Sequence, residues 1–275
     1  MRKIDYEIIF PDVDSQLKQN EEWVIIDFGE KQKKVNLHDY GAIYDIPGLY
    51  EEIFCEHLEC NSPEVMCGML SDVLKKSEGD MDNLRVLDFG AGNGIVGEQI
   101  KDIGCASLVG VDILPQARNA VKRDRPFIYD DYHVMDMSIL DDKKKEKLER
   151  YNFNCLITVG ALGFDDIPLT AFLNAFNLIE DDGWIIFNIK DSFLTGKDDT
   201  GYKDGIHHMV DAGVLAVHQR KRYCHRLALN NEKLYYIGIV GKKNQNVNLA
   251  DIFNIGGEEC PWKYQRNCVK KFQKV

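Results

Sequence analysis

The sequence predicts an α/β protein built on a doubly wound, mostly parallel sheet, and three observations support this fold class. From residue 84 onwards, short apolar runs alternate with segments of helical periodicity, as in parallel strands joined by right-handed crossovers. The first run ends at Asp88, and Gly90, Gly92 and Gly94 follow, which predicts a strand, a tight turn and a helix start. Later, two extended runs joined at residues 230–233 predict an antiparallel hairpin at one edge of the sheet.

Each element is predicted from its own pattern. Strands are expected where apolar residues form a short run, at 85–89, 107–112, 132–134, 155–159 and 183–189. Helices are expected where apolar residues recur at helical spacing, at 95–103, 115–123, 143–150, 168–177 and 206–212. The hairpin strands are expected at 216–229 and 234–240.

The residues before the glycine turn are predicted to form an N-terminal arm with lid helices that pack on the core. Residues 23–28 are a strand candidate, and Tyr40, Tyr44 and Tyr50 are spaced to share a face, either as edge packing or as a lid over a ligand. The Ser62 hydroxyl is expected to cap a helix that ends at a glycine, residue 79. The predicted divisions are an arm at 1–80, a core at 81–245 and a C-terminal tail at 246–275.

Composition excludes several classes of function. The formal net charge of −11 opposes broad binding of nucleic acid, and the basic residues at 263–274 are expected to form a solvated end. No apolar run approaches the roughly 18 residues of a membrane span, and acids interrupt the N-terminal apolar run, so we expect neither a signal peptide nor membrane insertion. Eight cysteines without a C-x-x-C pair predict reduced thiols in the cytoplasm and no metal site.

Residues suited to a nucleotide-like ligand follow several predicted strands, whose carboxyl ends share one edge of a doubly wound sheet. The glycine turn lets the backbone approach a ligand closely. Asp112 can accept hydrogen bonds from both hydroxyls of a ribose, Ile113 can lie against an adenine face, and Asp136 can accept from an adenine amino group. Gly160, which has no side chain, would leave space for the ligand at the opposite wall of the site. Together these residues predict a nucleotide-type site.

Two cofactors fit the glycine segment. Residues 92–97 satisfy G-x-G-x-x-G, with Asp112 as the acidic partner, which predicts an NAD-dependent dehydrogenase. The apolar strand stops at Phe89, however. The G-x-G-x-x-G segment therefore does not follow the strand directly, and it runs into the start of the predicted helix. The register D-x-G-x-G-x-G places Gly90 directly after the strand and brings Asp88 into the site. A sulfonium–amine ligand tolerates that added carboxylate better than a pyrophosphate does.

Residues 88–94 (DFGAGNG), followed by Asp112 and Asp136, resemble the class I S-adenosylmethionine-dependent methyltransferases. The resemblance covers roughly residues 84–242. It implies a Rossmann-like, seven-stranded sheet whose last strand is inserted antiparallel, and S-adenosyl-L-methionine as the cofactor. The implied cofactor contacts are Asp88, Gly90, Ala91, Gly92, Asn93, Gly94, Asp112, Ile113, Asp136, Met137, Gly160 and Tyr44.

Looser similarities and two departures accompany this resemblance. Residues 40–45, 160–162 and 182–184 resemble methyltransferase-like proteins related to the Williams–Beuren region member. In the first departure, Asn154 and Cys155 stand where many relatives carry an acid, and no Pro-Pro-Tyr-type motif of nucleic-acid amino methylation follows Val159, which removes one way of recognising a substrate. In the second, residues 181–183 (DDG) replace the common Pro-Gly-Gly before a strand, which changes only a turn. We therefore expect a small molecule or a protein side chain as acceptor, and no nucleic acid.

Catalysis of methyl transfer does not require an obvious catalytic residue, because the methyl group of a sulfonium is already electrophilic and mainly needs alignment. The candidates on the acceptor side are Tyr44, His207 and His208. A non-catalytic, cofactor-binding partner subunit stays open as a third hypothesis beside the methyltransferase and the dehydrogenase.

Overall fold

Two sheets organise the computed structural model, which describes residues 6–12, 18–76, 81–162, 166–195 and 200–254. The small sheet contains β1 (Glu7–Ile9), β2 (Trp23–Asp27) and β3 (Gln32–Asn36). The large sheet contains β4 (Arg85–Phe89), β5 (Ser107–Asp112), β6 (Asp131–Val134), β7 (Cys155–Leu162), β8 (Trp184–Lys190), β9 (Leu215–Leu227) and β10 (Lys233–Lys243). The α-helices are α1 (Tyr40–Tyr44), α2 (Ser62–Lys76), α3 (Ile95–Ile103), α4 (Pro115–Asp124), α5 (Asp142–Glu149), α6 (Leu169–Asn177), α7 (Asp191–Thr195), α8 (Tyr202–Asp211) and α9 (Leu249–Asn254). A π-helix, Glu51–His57, follows α1.

The strands of the large sheet lie in the order β6-β5-β4-β7-β8-β10-β9. The pairs β4–β5, β5–β6, β4–β7 and β7–β8 are parallel, whereas β10 is antiparallel to both β8 and β9. This confirms the predicted doubly wound, seven-stranded sheet with its antiparallel C-terminal hairpin. Because the strand order reverses at β4, between β5 and β7, the carboxyl ends of these strands form the crevice in which such folds bind ligands.

Apolar helices cover both faces of the large sheet. On one face, Leu70 of α2 and Ile100 of α3 pack with Ile157 of β7. On the other face, the ring of Phe172 in α6 lies 5.2 Å from that of Phe187 in β8. Full burial of side chains of this size contributes about 1.5–3 kcal/mol each relative to exposure. The strand ends that form the crevice are therefore held on a rigid platform.

The N-terminal residues form more structure than the sequence predicts. The predicted strand at 23–28 is present as β2, but β1 and β3 flank it. In β3 only Val35 is buried, and β1 has three residues, so neither strand has a clear apolar pattern. Ile26, Val35 and Ile53 belong to a separate apolar core. We call β2, β3, α1 and the π-helix, within residues 18–57, the roof.

The other predicted elements are present: β4, β5 and α3 have the predicted ends, and several others are shifted. β10 extends beyond its predicted limits, β9 begins one residue earlier and ends two residues earlier than predicted, and α8 begins at Tyr202, ahead of the predicted start. In the segment predicted as a tail, two side chains are buried in the core: Ile252, which lies in α9, and Val247, which precedes α9. Residue 79 and the basic stretch 263–274 lie outside the described residues. Within the described ranges, no helix is both long and apolar enough to cross a membrane.

Candidate functional site

Three glycines turn the chain between β4 and α3. Gly90, Gly92 and Gly94 have φ values of +71°, +52° and +88°, a region in which a residue with a Cβ is strained. The Gly90 N–H donates to the carbonyl oxygen of Val111 at 2.9 Å. A Cβ added to Gly90 would lie only 2.9 Å from the Cβ of Ala161. The turn is therefore fixed to β5 on one side and pressed against β7 on the other.

Asp88 lies beneath this turn. Its side chain is buried, and the Tyr129 hydroxyl donates to its Oδ2 at 2.6 Å. The ring of Tyr129 also packs under α3, where a Cβ on Gly97 would lie 2.6 Å from it. Burial raises the pKa of Asp88 to about 7. This geometry favours support of the turn through Tyr129 over the direct cofactor contact that the resemblance implies for Asp88.

The buried carboxyl of Asp88 should make the free energy of unfolding depend on pH. Its pKa is 3.8 ordinarily and about 7 in the folded chain, so the folded state binds more protons between these values. The stabilisation is therefore full at low pH and is lost as the pH rises to about 7. Asp88→Asn keeps an acceptor for Tyr129 but cannot ionise. Relative to wild type, the variant should gain stability as the pH rises from about 4 to about 7 in urea unfolding; parallel pH profiles would contradict this.

Asp112, at the end of β5, holds the glycine turn from the other side. Its Oδ2 accepts from the Gly92 N–H at 2.9 Å, and its Oδ1 accepts from the Leu114 N–H at 2.8 Å. Burial raises the pKa of this carboxyl. Each carboxylate oxygen can accept a second hydrogen bond. Asp112 can therefore hold the turn and still accept from the two hydroxyls of a ribose.

The other predicted adenosine contacts lie at or just after the ends of the adjoining strands. Ile113 is 47% exposed, which leaves an apolar side chain at the crevice. Oδ1 of Asp136 accepts from both the backbone N–H and the hydroxyl of Ser138, at 2.8 and 2.6 Å, and Oδ2 takes no part in this turn. The Met137 side chain is buried in the core, so a cofactor contact of Met137 would have to come from its main chain.

The end of β7 borders the glycine turn with an irregular segment. Gly160 has a φ of +70°, and the pairing of β7 with β8 shifts register between Thr158 and Leu162. Among the described residues, the buried Thr158 hydroxyl has no hydrogen-bond partner, and it lies 3.9 Å from where a Cβ on Gly90 would be. Buried polar atoms are nearly always hydrogen-bonded, so an unpaired hydroxyl beside a glycine turn fits a site for a polar ligand.

Tyr44 places the roof directly over the glycine turn. Its hydroxyl would lie 2.5 Å from a Cβ on Gly92. Its ring centroid is 6.1 Å from that of Tyr40 and 5.5 Å from that of Tyr50. Burial raises the pKa of Tyr44 well above its usual value, so this hydroxyl stays protonated at neutral pH. Of the two interpretations of the tyrosines, edge packing and a lid, the position of Tyr44 favours a lid.

A charged cluster that the sequence did not indicate ties the roof to the turn. Oε1 of Glu51 accepts from Nη1 of Arg125 at 2.7 Å and from Nδ2 of Asn93 at 3.0 Å. Arg125 also donates to the Asn93 carbonyl at 3.2 Å and to Glu98 at 3.1 Å. Glu51 and Arg125 are 74 residues apart, and each has the sequence setting of an ordinary surface charge. Asn93 is one of the cofactor contacts that the resemblance implies.

Gly92→Ala should destabilise the chain, because the added methyl group meets both a left-handed backbone and the Tyr44 hydroxyl. We expect the free energy of unfolding to fall by about 1–3 kcal/mol. Tyr44→Phe in the same chain should restore part of this loss, since it removes the oxygen at 2.5 Å and leaves the ring carbon Cζ at 3.4 Å. Urea unfolding of the wild type, the two single variants and the double variant measures this coupling. Strictly additive losses would mean that Tyr44 does not contact Gly92.

Only one of the three candidate catalytic residues lies at the glycine turn, and that residue is Tyr44. His207 and His208 occupy the second half of α8, which leads to β9. β9 starts at Leu215 opposite Lys243, beside the beginning of β8 and away from the carboxyl ends of the parallel strands. His207 is also exposed to solvent.

The register of the glycines separates the two predicted cofactors. Because α3 begins at Ile95, Gly97 lies inside the helix against Tyr129 and does not belong to the turn. The turn itself is formed by Gly90, Gly92 and Gly94, in the D-x-G-x-G-x-G register that favours a sulfonium cofactor over a dinucleotide. The spare acceptor capacity of Asp112, the exposed Ile113 and the unpaired Thr158 hydroxyl fit that cofactor.

Comparison with known proteins agrees with this choice. A family model described as a methyltransferase domain matches residues 59–235, more than half of the chain. The chain is similar to a solved S-adenosylmethionine-dependent methyltransferase from Anabaena variabilis ATCC 29413, with 9% identity and a TM-score of 0.51 over 76% of this chain and 96% of that one. It is also similar to such a methyltransferase from Clostridium acetobutylicum ATCC 824, with 14% identity and a TM-score of 0.48 over 71% and 96%. The likeness to the Anabaena protein concerns the fold alone. No curated protein matches the sequence. The chain therefore belongs to the methyltransferase-domain family, and it is an S-adenosylmethionine-dependent methyltransferase.

Proposed function

We propose that this methyltransferase acts on a small-molecule acceptor enclosed between the roof and the carboxyl ends of β7 and β8. When bound, S-adenosylmethionine supplies a methyl group that is electrophilic because it is attached to a sulfonium sulfur. Asp112, Ile113 and Asp136 would hold the adenosine part, and the glycine turn would let the backbone approach it. The remaining task of the protein is to align the acceptor and to exclude water.

The observation that supports a small acceptor is the closure of the roof on two sides. At the glycine turn, Glu51 binds Arg125 at 2.7 Å. At β9, Glu22 binds Arg226 at 2.6 Å, and both side chains are almost fully buried. Tyr44 of the roof meets the glycine turn at Gly92. A site closed in this way favours an acceptor that fits wholly inside it over a polymer or a folded protein.

The charge of the chain supports the same proposal. A net charge of −11 disfavours the phosphate contacts on which nucleic-acid binding depends. A protein side chain that reaches into the enclosure is the alternative acceptor, and it would require the roof to open.

Labelled methyl transfer tests the proposal. The full chain is incubated with methyl-labelled S-adenosylmethionine and two fractions of one cell extract, a small-molecule filtrate and the retained proteins. We expect label to enter the filtrate. Label in the protein fraction alone would show that the acceptor is a protein side chain and not a small molecule. Asp112→Ala is the matched control and, at a concentration of S-adenosylmethionine that does not saturate the variant, should transfer less label to either fraction.

We also propose that the chain works in a reducing, cytosolic compartment. Each cysteine in the described ranges is free, and Cys67 and Cys155 are buried in the core, where thiols pack as small apolar groups. Alkylation of the native and the unfolded chain, followed by mass measurement, should find every thiol reduced. A disulfide formed in the cell would contradict this location.

A further inference from the structure

A buried polar network lies beside the acceptor end of the site. It joins Ser62 at the start of α2, Asn188 in β8, and Tyr223 and His225 in β9, and we call these residues the Ser62 network. The Ser62 hydroxyl, expected from the sequence to cap a helix, lies 2.6 Å from Nδ1 of His225 and 2.7 Å from the Tyr223 hydroxyl. Nδ2 of Asn188 donates to both hydroxyls, at 3.1 Å to Ser62 and 2.6 Å to Tyr223.

The protons of the Ser62 network can be assigned from its donors and acceptors. The Gly160 N–H donates to Oδ1 of Asn188 at 2.7 Å, which fixes the amide so that its NH2 group faces the two hydroxyls. Tyr223 accepts from Asn188, so its own proton goes to Ser62. Ser62 then accepts twice, and its proton goes to Nδ1 of His225. His225 is therefore the tautomer with its proton on Nε2.

The opposite tautomer leaves a proton without an acceptor. If Nδ1 carried the proton and donated to Ser62, the Ser62 proton would pass to Tyr223. The buried Tyr223 hydroxyl already accepts from Asn188, and its own proton would then have no acceptor among the described residues. A buried donor that has no acceptor costs free energy. The network therefore selects the tautomer of His225 with its proton on Nε2.

The imidazole of His225 reaches the wall of the site. Its Cε1 lies 3.8 Å from where a Cβ on Gly160 would be, at the irregular end of β7. The ring packs on Tyr236 with centroids 4.0 Å apart, and the Cys60 thiol lies 3.8 Å from Nδ1. Burial, with the positive charges of Arg226 and Lys190 nearby, lowers the pKa of His225 to about 3, so the ring is neutral. Nε2 lies on the side of the ring away from Ser62.

We propose that His225 presents its Nε2–H to the methyl acceptor as a fixed hydrogen-bond donor, with Ser62, Asn188 and Tyr223 as positioning residues. This inference rests on the proposed function and narrows its substrate class. The acceptor would carry a carboxylate, carbonyl or phenolate oxygen, or an unprotonated ring nitrogen, close to the atom that is methylated. Because Nε2 holds a proton and Nδ1 is occupied, His225 binds and orients the acceptor and does not remove a proton from it.

The tautomer can be measured without any substrate. Long-range ¹H–¹⁵N correlations of the ¹⁵N-histidine-labelled full chain report which ring nitrogen carries the proton, and His225→Gln identifies the His225 signals. We expect an unprotonated Nδ1, a protonated Nε2 and no titration between about pH 8 and about pH 5. A proton on Nδ1, or a ring that becomes charged in this range, would overturn the inference. Ser62→Ala should mix the two tautomers, and Ser62→Thr should keep one.

The acceptor found by the labelling experiment provides the second test. His225→Ala should raise KM for the acceptor roughly tenfold with little change in kcat. His225→Gln, whose amide N–H can replace Nε2–H, should recover most of this loss. Calorimetry with S-adenosylmethionine should give the wild-type affinity for both variants, which separates acceptor binding from misfolding. An unchanged KM in His225→Ala would overturn the inference and leave the proposed function intact. Transfer to proteins alone would overturn the proposed function, whereas the tautomer measurement would still decide the state of His225.

Discussion

Asp112→Ala should weaken the binding of S-adenosylmethionine by about 1–3 kcal/mol, which corresponds to a loss of between about fivefold and about 150-fold in affinity. Asp112 accepts from Gly92 at 2.9 Å and from Leu114 at 2.8 Å, so its carboxylate fixes both the glycine turn and the start of the loop after β5. The variant would lose these two contacts and also the paired acceptors for the ribose. Calorimetry with S-adenosylmethionine and with S-adenosylhomocysteine measures the loss.

Two further variants show whether this effect belongs to the site. Asp112→Asn keeps one carbonyl oxygen and should fall between the wild type and the alanine variant. Asp130→Ala is the matched control, because Oδ2 of Asp130 accepts from the Leu108 N–H at 2.7 Å at the opposite end of β5. Its affinity should equal that of the wild type. If Asp112→Ala binds as tightly as Asp130→Ala does, another acid holds the ribose.

The cofactor half of the molecule could be predicted because its signals are local in the sequence. The strand before the glycine turn, the turn itself and the helix after it are consecutive, and each has a clear residue pattern. Asp112 and Ile113 could be found because they directly follow an apolar run that parallel pairing brings beside the turn. The residue pattern in this part of the chain therefore determines both the fold and the position of the polar groups.

The roof and the Ser62 network could not be predicted, because their partners are far apart in the sequence. Ser62 and His225 are separated by 163 residues, and the local sequence gives Ser62 an adequate role as a helix cap. Glu51 and Arg125 each look like a surface charge until the fold brings them together. A buried polar contact leaves no periodic pattern, so one sequence gives no sign that such residues are paired.

Arg226→Ala should lower the free energy of unfolding by about 3–5 kcal/mol, the largest effect on stability that we expect in this chain. Nη2 of Arg226 donates to Oε2 of Glu22 at 2.6 Å, with 3% and 2% of the side chains exposed. Oε1 of Glu22 also accepts from the Leu229 N–H at 2.7 Å. The alanine variant would leave the Glu22 carboxylate buried without the guanidinium that pairs with it, which costs more than the hydrogen bonds alone. Urea unfolding measures this loss.

The size of this effect depends on burial and not on the distance between the charges. A second ion pair, which is exposed, allows the two to be separated. Arg150 and Glu146 are 3.0 Å apart but 72% and 70% exposed, so Arg150→Ala should cost no more than about 0.5 kcal/mol. Changing both members of the buried pair, Glu22→Gln with Arg226→Met, should recover much of the loss, since no uncompensated charge remains. If Arg226→Ala and Arg150→Ala lowered the free energy of unfolding equally, water would reach Glu22 and Arg226. The roof would then open at β9, and one of the two contacts that enclose the proposed small-molecule acceptor would be absent.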